Sequence, residues 1–327
     1  MEANNKSAIY VPEREKSLLE KLKKYNQEID GELKDETLCA IYREVMSGAI
    51  ALEHPVKVGY LGPEATFTQQ AALAKFGRSV VYSPANCIAE VFSEVEMDRV
   101  DYGCIPIENS TEGAVNYTLD RFINSNVQIC AEINLRIHHN LLTKANKKED
   151  IRVIYSHSQP FGQCQKWLQA NMQGMELIEV SSTSKAAELA AQELHSAAIA
   201  SSLAAEVYDL NIVEENIEDN CDNTTRFLII GKQEPVATGD DKTSICFAIK
   251  DRIGALYDSL LPFKNYDVTL TMIESRPLKR KNWQYCFFVD LLGHRSEDKI
   301  RKAIEELEDM CQFVKILGSY PRSTDIL

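Results

Sequence analysis

The first part of the chain repeats apolar residues at helical spacing. From Pro12 onward they recur every three or four positions, and after Gly31 a second such run extends from Leu38 to Leu52. Proline suits the first turn of a helix, where its missing N–H leaves no hydrogen bond unmade. The pattern predicts two amphipathic helices within residues 12–53. Because two helices cannot bury both apolar stripes against each other, we expect another partner to cover them.

From Val56 the pattern changes to short apolar runs that alternate with helical segments. VKVGYL, VVYS and YGCIPIE have the composition of strands, and TFTQQAALAKF and CIAEVFSEVE lie between them with helical spacing. The alternation continues as far as TRFLIIG, which predicts βαβ units and a mainly parallel sheet. The run from Val127 to Thr143 has few breakers and predicts a strand that crosses between two lobes. We expect a two-lobed α/β domain over residues 56–232 with a central ligand cleft.

A polar linker from Lys232 to Asp241 precedes a third unit. Its segments TSICFAIK, GALYDSLLPFKNY, DVTLTMIESRP, QYCFFVDLLG, SEDKIRKAIEELEDMC and VKILGSYP follow the order strand, helix, strand, strand, helix, strand. This order predicts a ferredoxin-like βαββαβ domain over residues 242–323, and the whole chain is therefore of the α/β class.

Composition and charge indicate a globular protein that does not bind nucleic acid. The 327 residues have 44% hydrophobic and 26% charged side chains, which is ordinary for a globular protein. The formal net charge of -13 would repel a phosphate backbone, so we expect no nucleic-acid partner.

Cysteine content and the N-terminal sequence indicate a compartment. The nine cysteines are an odd number without a C-x-x-C pair, which favours buried thiols over a disulfide framework or a zinc site. Neither a signal-like apolar segment nor a membrane-spanning apolar run occurs. These features predict a cytoplasmic protein without a membrane partner.

Five motifs in the middle segment resemble those of prephenate dehydratases. They are GPEATF (62–67), IPIENSTEGAV (105–115), SHSQPFGQC (156–164), SSTSKAA (181–187) and NTTRF (223–227). Each is weak alone, but their shared order and spacing make the resemblance specific. It implies a periplasmic-binding-protein-like catalytic domain that converts prephenate to phenylpyruvate in L-phenylalanine biosynthesis. Ala65 stands where the family usually has glycine, so the loop must differ slightly here if that glycine needs a positive φ.

The C-terminal unit resembles the ACT domain that follows this catalytic domain in the family. The resemblance rests on GALYDSL at 254–260 and IESRP at 273–277. It implies allosteric inhibition by L-phenylalanine and a homodimer or tetramer. The implied effector-binding residues are Gly254, Ala255, Leu256, Glu274, Ser275, Arg276 and Pro277.

Residues 1–55 resemble the later part of a chorismate mutase domain, as found in bifunctional chorismate mutase/prephenate dehydratases. The stretch YVPEREKSLLEKL carries this resemblance, which covers only part of that domain. Arg14, Glu15 and Glu53 match mutase pocket positions, but the long first helix that would carry most of the basic groups has no counterpart. We therefore expect a truncated mutase-like segment with little activity, unless the missing helix is supplied by another chain.

The implied chemistry assigns roles to several residues. Prephenate has two carboxylates and a ring hydroxyl, and it loses CO2 and water as the ring becomes aromatic, so neither a metal nor a cofactor is expected. Thr225 would donate a hydrogen bond to the departing oxygen, with Glu108 as a proton relay. Arg226 would hold a carboxylate with its planar fork. The implied substrate-binding residues are Thr66, Asn109, Ser110, Ser156, Gln159, Gln163, Ser182, Thr183, Arg226 and Phe227.

Structural interpretations of the same residues remain open. Asn109 and Ser110 could cap a helix that begins near Gly113, and Ser182 and Thr183 could cap the next one. A capped helix N-terminus can also bind an anion, so both roles are compatible. A two-lobed cleft would also suit a small-anion-binding protein without chemistry, but the missing signal sequence and the TRF motif argue against that function.

Overall fold

The computed structural model describes residues 11–145, 147–250, 252–278 and 285–327. The chain begins with the predicted pair of helices, α1 (Pro12–Glu28) and α2 (Asp35–Glu53). Both pack on the body of the protein, where Glu15 pairs with Lys75 at 2.9 Å. The body covers only part of the predicted apolar stripe, since Tyr25 and Val45 remain exposed.

The first lobe follows directly. Its elements are β1 (Lys57–Leu61), α3 (Phe67–Phe76), β2 (Val81–Ala85), α4 (Ile88–Glu96), β3 (Tyr102–Asn109), β4 (Gly113–Ala114), α5 (Asn116–Asn124) and β5 (Gln128–Arg136). In the loop before α3, Ala65 has a φ of 63°. Ala65 thus adopts the left-handed conformation that glycine adopts more easily, at the modest energetic cost of a Cβ.

The chain then crosses into the second lobe. Its elements are β6 (Asn140–Thr143), a 3-10 turn (Lys148–Asp150), β7 (Val153–Ser156), α6 (Ser158–Gln163), α7 (Gln165–Asn171), β8 (Glu176–Glu179), α8 (Thr183–Gln192), β9 (Ser196–Ala200), α9 (Ser202–Tyr208) and β10 (Asn211–Glu214). β11 (Thr224–Gly231) returns to the first lobe. The predicted crossing strand over residues 127–143 is two strands, β5 and β6, one in each sheet.

The two sheets are mixed. In the first, the strand order is β2-β1-β3-β11-β5, with β4 beside β3. β1 is parallel to β2 and β3, whereas β11 is antiparallel to both of its neighbours. The second has the order β10-β6-β9-β7-β8. In it, β7 is parallel to β8 and to β9, whereas β6 is antiparallel to both β9 and β10. The expectation of mainly parallel sheets was therefore wrong. The strands that cross between the lobes, β5, β6 and β11, pair antiparallel with their neighbours.

The C-terminal domain has the predicted ferredoxin-like order. Its elements are β12 (Asp241–Ile249), α10 (Ala255–Asn265), β13 (Leu270–Pro277), β14 (Tyr285–Leu292), α11 (Asp298–Met310) and β15 (Cys311–Pro321). The sheet is antiparallel with the order β13-β14-β12-β15. It packs on the first lobe through one continuous apolar core, which joins Ile105 and Leu228 to Phe288 and Leu317.

Cysteine burial largely follows the sequence-based expectation. All nine cysteines lie within the described residues and carry free thiols, and seven of them are buried. Cys87 and Cys221 are the two exposed exceptions. In the described ranges, no helix is both long and apolar enough to span a membrane.

Candidate active site

A cleft of about 600 Å3 lies between the two lobes, where residues 137–139 and 223 connect them. Its walls are the carboxyl ends of β1 and β3, the first turns of α3, α6 and α8, and one face of β11. This is the position at which open α/β sheets bind ligands. Eight of the predicted catalytic and substrate-binding residues line it: Thr66, Asn109, Gln159, Gln163, Ser182, Thr183, Thr225 and Phe227.

Thr225 lies at the centre of one wall, near the start of β11. Strand alternation directs Thr225 and Phe227 to the cleft and the residue between them to the opposite face. The Thr225 Oγ1 accepts a hydrogen bond of 2.8 Å from the Asn109 Nδ2. Because a hydroxyl has one proton and two acceptor sites, this contact leaves the Thr225 proton free for donation into the cleft.

Asn109 belongs to a chain of hydrogen bonds across the cleft. Its Nδ2 also donates to the Asn223 Oδ1 at 2.9 Å, and the Asn223 Nδ2 donates to the Gln163 Oε1 at 3.2 Å. The same Gln163 oxygen lies 2.8 Å from the His139 Nε2. Burial lowers the pKa of His139, so the neutral ring donates from Nε2 and both donor hydrogens of Gln163 remain available.

Asn223 and His139 were not among the predicted site residues. Asn223 opens the NTTRF motif, so its position in a recognised motif was a usable signal. His139 lacks such a signal, because it enters the cleft only through the crossing between the lobes.

Two helices direct their N-termini at the cleft. The Thr66 Oγ1 accepts from the Gln69 N–H at 3.4 Å and caps α3, and the Ser182 Oγ accepts from the Lys185 N–H at 3.0 Å and caps α8. The first N–H groups of a helix have no partner within the helix, and the helix dipole makes this end positive. The capping of α8 by Ser182 confirms the structural interpretation of that turn, and a capped helix N-terminus is compatible with anion binding.

The charges around the cleft are unexpected for an anionic substrate. None of the described residues that line it is a lysine or an arginine, and Glu112 contributes a carboxylate. The described lining instead offers an anion the N-termini of α3 and α8 and neutral hydrogen-bond donors.

Arg226 and Glu108 lie on the opposite face of the first sheet. The Arg226 guanidinium points away from the cleft into the contact with the C-terminal domain, where its Nε donates to the Glu132 Oε2 at 2.7 Å. The Glu108 Oε2 is 3.8 Å from the Arg226 Nη1, on the same face. Neither side chain lines the cleft. The prediction that Arg226 holds a substrate carboxylate and that Glu108 relays a proton was therefore wrong. Consecutive residues of a strand face opposite sides, and the neighbours Thr225 and Asn109 are the ones that face the cleft.

Ser110 and Ser156 also have structural contacts in place of cleft positions. The Ser110 Oγ accepts from the Thr224 N–H at 3.0 Å and ties its loop to β11. The Ser156 hydroxyl is fully buried and donates to the Ile199 carbonyl at 3.0 Å. We therefore correct both predicted substrate contacts.

The predicted effector residues lie on two separated parts of the C-terminal domain. Gly254 precedes α10 with a φ of 75°, and open space surrounds the position of its absent Cβ. Ala255 and Leu256 form the first turn of α10. Residues 274–277 belong to β13, the edge strand of the sheet, and β14 lies between β13 and β12. The Arg276 side chain contacts the catalytic lobe, with its Nε 3.1 Å from the Asp120 Oδ1.

The three mutase-like residues do not converge on one pocket. Glu15 is buried against Lys75, whereas Arg14 and Glu53 are exposed.

Comparison with known proteins identifies the family. The family model described as prephenate dehydratase matches residues 58–235. The chain belongs to the prephenate dehydratase family. A second model, chorismate mutase type II, matches residues 2–54. The N-terminal helices are thus a recognised mutase segment, which corrects our description of them as a truncated remnant.

Individual relatives agree with the prephenate dehydratase match, and one of them agrees with the mutase match as well. A bifunctional chorismate mutase/prephenate dehydratase from Aquifex aeolicus is 49% identical, over 96% of this chain and 87% of its own. A prephenate dehydratase from Lactococcus lactis is 37% identical, over 81% of this chain and 97% of its own. A crystal structure of prephenate dehydratase in complex with L-Phe from Arthrobacter aurescens has a TM-score of 0.76 and 30% identity, and covers 82% of this chain and 90% of that one.

Family membership establishes the activity that the motifs predicted. The chain is a carbon–oxygen lyase with prephenate dehydratase activity, and it acts in aromatic amino-acid biosynthesis.

Proposed function

We propose that the cleft dehydrates prephenate by hydrogen-bond donation from Thr225 to the departing hydroxyl. The observation that carries this proposal is the 2.8 Å contact from Asn109, which occupies one acceptor site of the Thr225 oxygen and orients its proton. Aromatisation makes the reaction favourable, so a donor that stabilises charge on the leaving oxygen lowers the main barrier. Loss of CO2 supplies the electrons that form the aromatic ring.

We further propose that the N-termini of α3 and α8 hold the two substrate carboxylates. Both ends are capped by a side chain at the cleft, at Thr66 and Ser182. Such sites hold anions by N–H groups and dipoles, so binding needs no side-chain cation. A cleft whose described lining holds neither lysine nor arginine also avoids over-stabilising the ring carboxylate, which must leave as CO2.

The decisive assay supplies prephenate to the purified 327-residue chain and follows phenylpyruvate by its absorbance. We expect saturable turnover, because the donor and both anion sites face one cavity. Calorimetry with prephenate, performed in parallel, separates catalysis from binding. A chain that binds prephenate tightly and produces no phenylpyruvate would favour the small-anion-binding alternative.

Chorismate mutase activity is a second candidate, favoured by the match of residues 2–54 to that family. An efficient pocket needs several fixed donors around both carboxylates and the ether oxygen of chorismate. In this chain Glu15 pairs with Lys75, and Arg14 and Glu53 are exposed. We expect only slow loss of chorismate in the same assay, and saturable turnover at rates typical of enzymes would contradict this expectation.

We also propose that L-phenylalanine inhibits the enzyme from the C-terminal domain. The Arthrobacter aurescens prephenate dehydratase was crystallised in complex with L-Phe, which supports this effector class. The segment 254–256 and the segment 274–277 are separated by β14 within one subunit. Both could contact one small ligand if the free edge of β13 met a second copy of the chain, so the proposal includes a homodimer or tetramer.

Replacement of Ser275 with alanine should weaken phenylalanine binding at least about tenfold in calorimetry, because a donor to the bound amino acid is lost. Thr271→Ala is a matched control, since Thr271 is exposed on the same strand outside the predicted site. A prephenate analogue should weaken phenylalanine binding by the factor that phenylalanine imposes on the analogue. Equal affinity of the wild type and Ser275→Ala would place the site elsewhere.

A further inference from the structure

The contact between the catalytic lobe and the C-terminal domain contains a buried charge cluster directly behind Thr225. Arg226, the next residue of β11, lies 2.6 Å from the Asp290 Oδ2 through its Nη1 and donates from Nη2 to the Tyr320 hydroxyl at 2.9 Å. Asp290 is on β14 and Tyr320 on β15. Two strands of the C-terminal domain therefore hold the side chain adjacent to the proposed catalytic residue.

The remaining members of the cluster balance and fix it. Glu132 on β5 accepts from Arg226 and, at 2.8 Å, from the Lys242 Nζ on β12. The Ser244 Oγ contacts both the Asp290 Oδ1 at 2.5 Å and the Tyr320 hydroxyl at 2.7 Å. Two largely buried cations thus face two buried carboxylates, and the partly exposed Glu108 carboxylate lies 3.8 Å from Arg226. Loss of one partner leaves an uncompensated charge, so the arrangement is sensitive to a single substitution.

The backbone pairing of β11 with β3 beside Thr225 indicates what this cluster does. On the β3 side, the register of β11 shifts between Arg226 and Phe227, so that Phe227 lies opposite Pro106. Proline has no N–H to donate, and a bulge interrupts the regular ladder. The backbone pairing of β11 with β3 is therefore irregular at this point. On the other edge, β5 pairs with β11 in regular register from Thr224 to Ile229. The anchored Arg226 side chain adds a constraint to this one-sided pairing, and it helps to set the direction in which Thr225 projects on the other face.

We propose that Asp290 of the C-terminal domain is a positioning residue for dehydration, acting through Arg226 on the Thr225 hydroxyl. This inference rests on the proposed role of Thr225. Asp290 touches neither the cleft nor the substrate, and it aligns the donor from the far side of the sheet. A misplacement of about 1 Å at a reacting group can lower a rate by up to roughly a hundredfold.

The test is a double-mutant cycle of Asp290→Asn and Thr225→Ala, with kcat and KM for prephenate measured for all four proteins. Alone, Asp290→Asn should lower kcat about tenfold and change KM by less than about twofold, because the cleft is intact. In the Thr225→Ala background it should change kcat by less than about twofold, because the hydroxyl that it positions is gone. A purely structural residue would give the same loss in both backgrounds, and that result would overturn the inference, as would an unchanged kcat in the single variant.

Two further variants serve as a substitute and as a control in this test. Tyr320→Phe removes the hydroxyl that accepts from Arg226 without a change of charge, and it replaces Asp290→Asn in the cycle if that variant fails to fold. Lys315→Met is the matched control, since Lys315 donates to the Phe122 carbonyl at 2.7 Å across the same domain contact but away from β11. It should lower the melting temperature and leave kcat unchanged, whereas a tenfold loss of kcat would show that any damage to this contact impairs catalysis. Near-wild-type kcat in Thr225→Ala alone would instead refute the proposed role of Thr225.

Discussion

Thr225→Ala is expected to lower kcat for prephenate by at least about a hundredfold, with KM changed by less than about threefold. Thr225 is 9% exposed at the cleft wall, and its hydroxyl oxygen accepts a 2.8 Å hydrogen bond from Asn109. A donor fixed in this way stabilises charge that develops on the leaving oxygen in the transition state and contributes little to ground-state binding. Steady-state kinetics with phenylpyruvate detection measures the loss.

Two variants of the same residue separate the hydroxyl from the volume of the side chain. Thr225→Ser keeps the donor and should retain activity within about tenfold, since only a methyl group is lost. Thr225→Val keeps the shape and should be as impaired as alanine. A valine variant with near-wild-type kcat would show that Thr225 shapes the cleft and donates no proton.

Much of the fold was predictable because its signals are local. Helical spacing identified α1 and α2, with Pro12 at the first position of α1. The βαββαβ order of the C-terminal domain follows from six well-separated segments. The cleft was predictable for a different reason. Four of its motifs end strands or begin helices, and such ends meet at one edge of an α/β sheet. The fifth, NTTRF, begins β11, and it reaches the same edge because β11 is antiparallel to β3.

Errors arose where contiguous residues were assigned to one site. In NTTRF, Thr225 and Arg226 were both placed at the substrate, although strand alternation permits only one of them to face the cleft. The same reasoning separates Glu108 from Asn109 on β3. Alternation alone does not say which face is the cleft. That depends on the C-terminal domain, which covers the other face through contacts remote in sequence, such as Arg226 with Asp290.

Sequence also could not identify His139 as a cleft residue. It lies beyond β5 in the crossing between lobes, and its partner Gln163 follows 24 positions later. Only the folded arrangement of both lobes joins them. The hydrogen-bond network from His139 to Thr225 therefore depends on tertiary structure, because its residues come from four different segments of the chain.

The contact between the catalytic lobe and the C-terminal domain is expected to tolerate no side chain at Gly318. A Cβ placed there would lie 2.7 Å from the Ile129 nitrogen and 3.0 Å from its carbonyl carbon. These are backbone atoms of β5, which cannot move aside as a flexible side chain would. Overpacking of such a site typically costs 1–3 kcal/mol, and we expect Gly318→Ala to lower the free energy of unfolding by about 3 kcal/mol.

Urea denaturation of Gly318→Ala beside Gly48→Ala measures this loss against a matched change. Gly48 lies within α2, and the nearest atom to its absent Cβ is the Ser79 Oγ at 4.0 Å. Alanine there should stabilise the protein by roughly 0.5–1 kcal/mol, because glycine is unfavourable in a helix interior. Since β15 also carries Tyr320, a strand displaced at Gly318 should loosen the anchor of Arg226 as well. Gly318→Ala should therefore lower kcat in native buffer, and a variant with wild-type stability and kcat would show that the two domains can separate at this point without consequence.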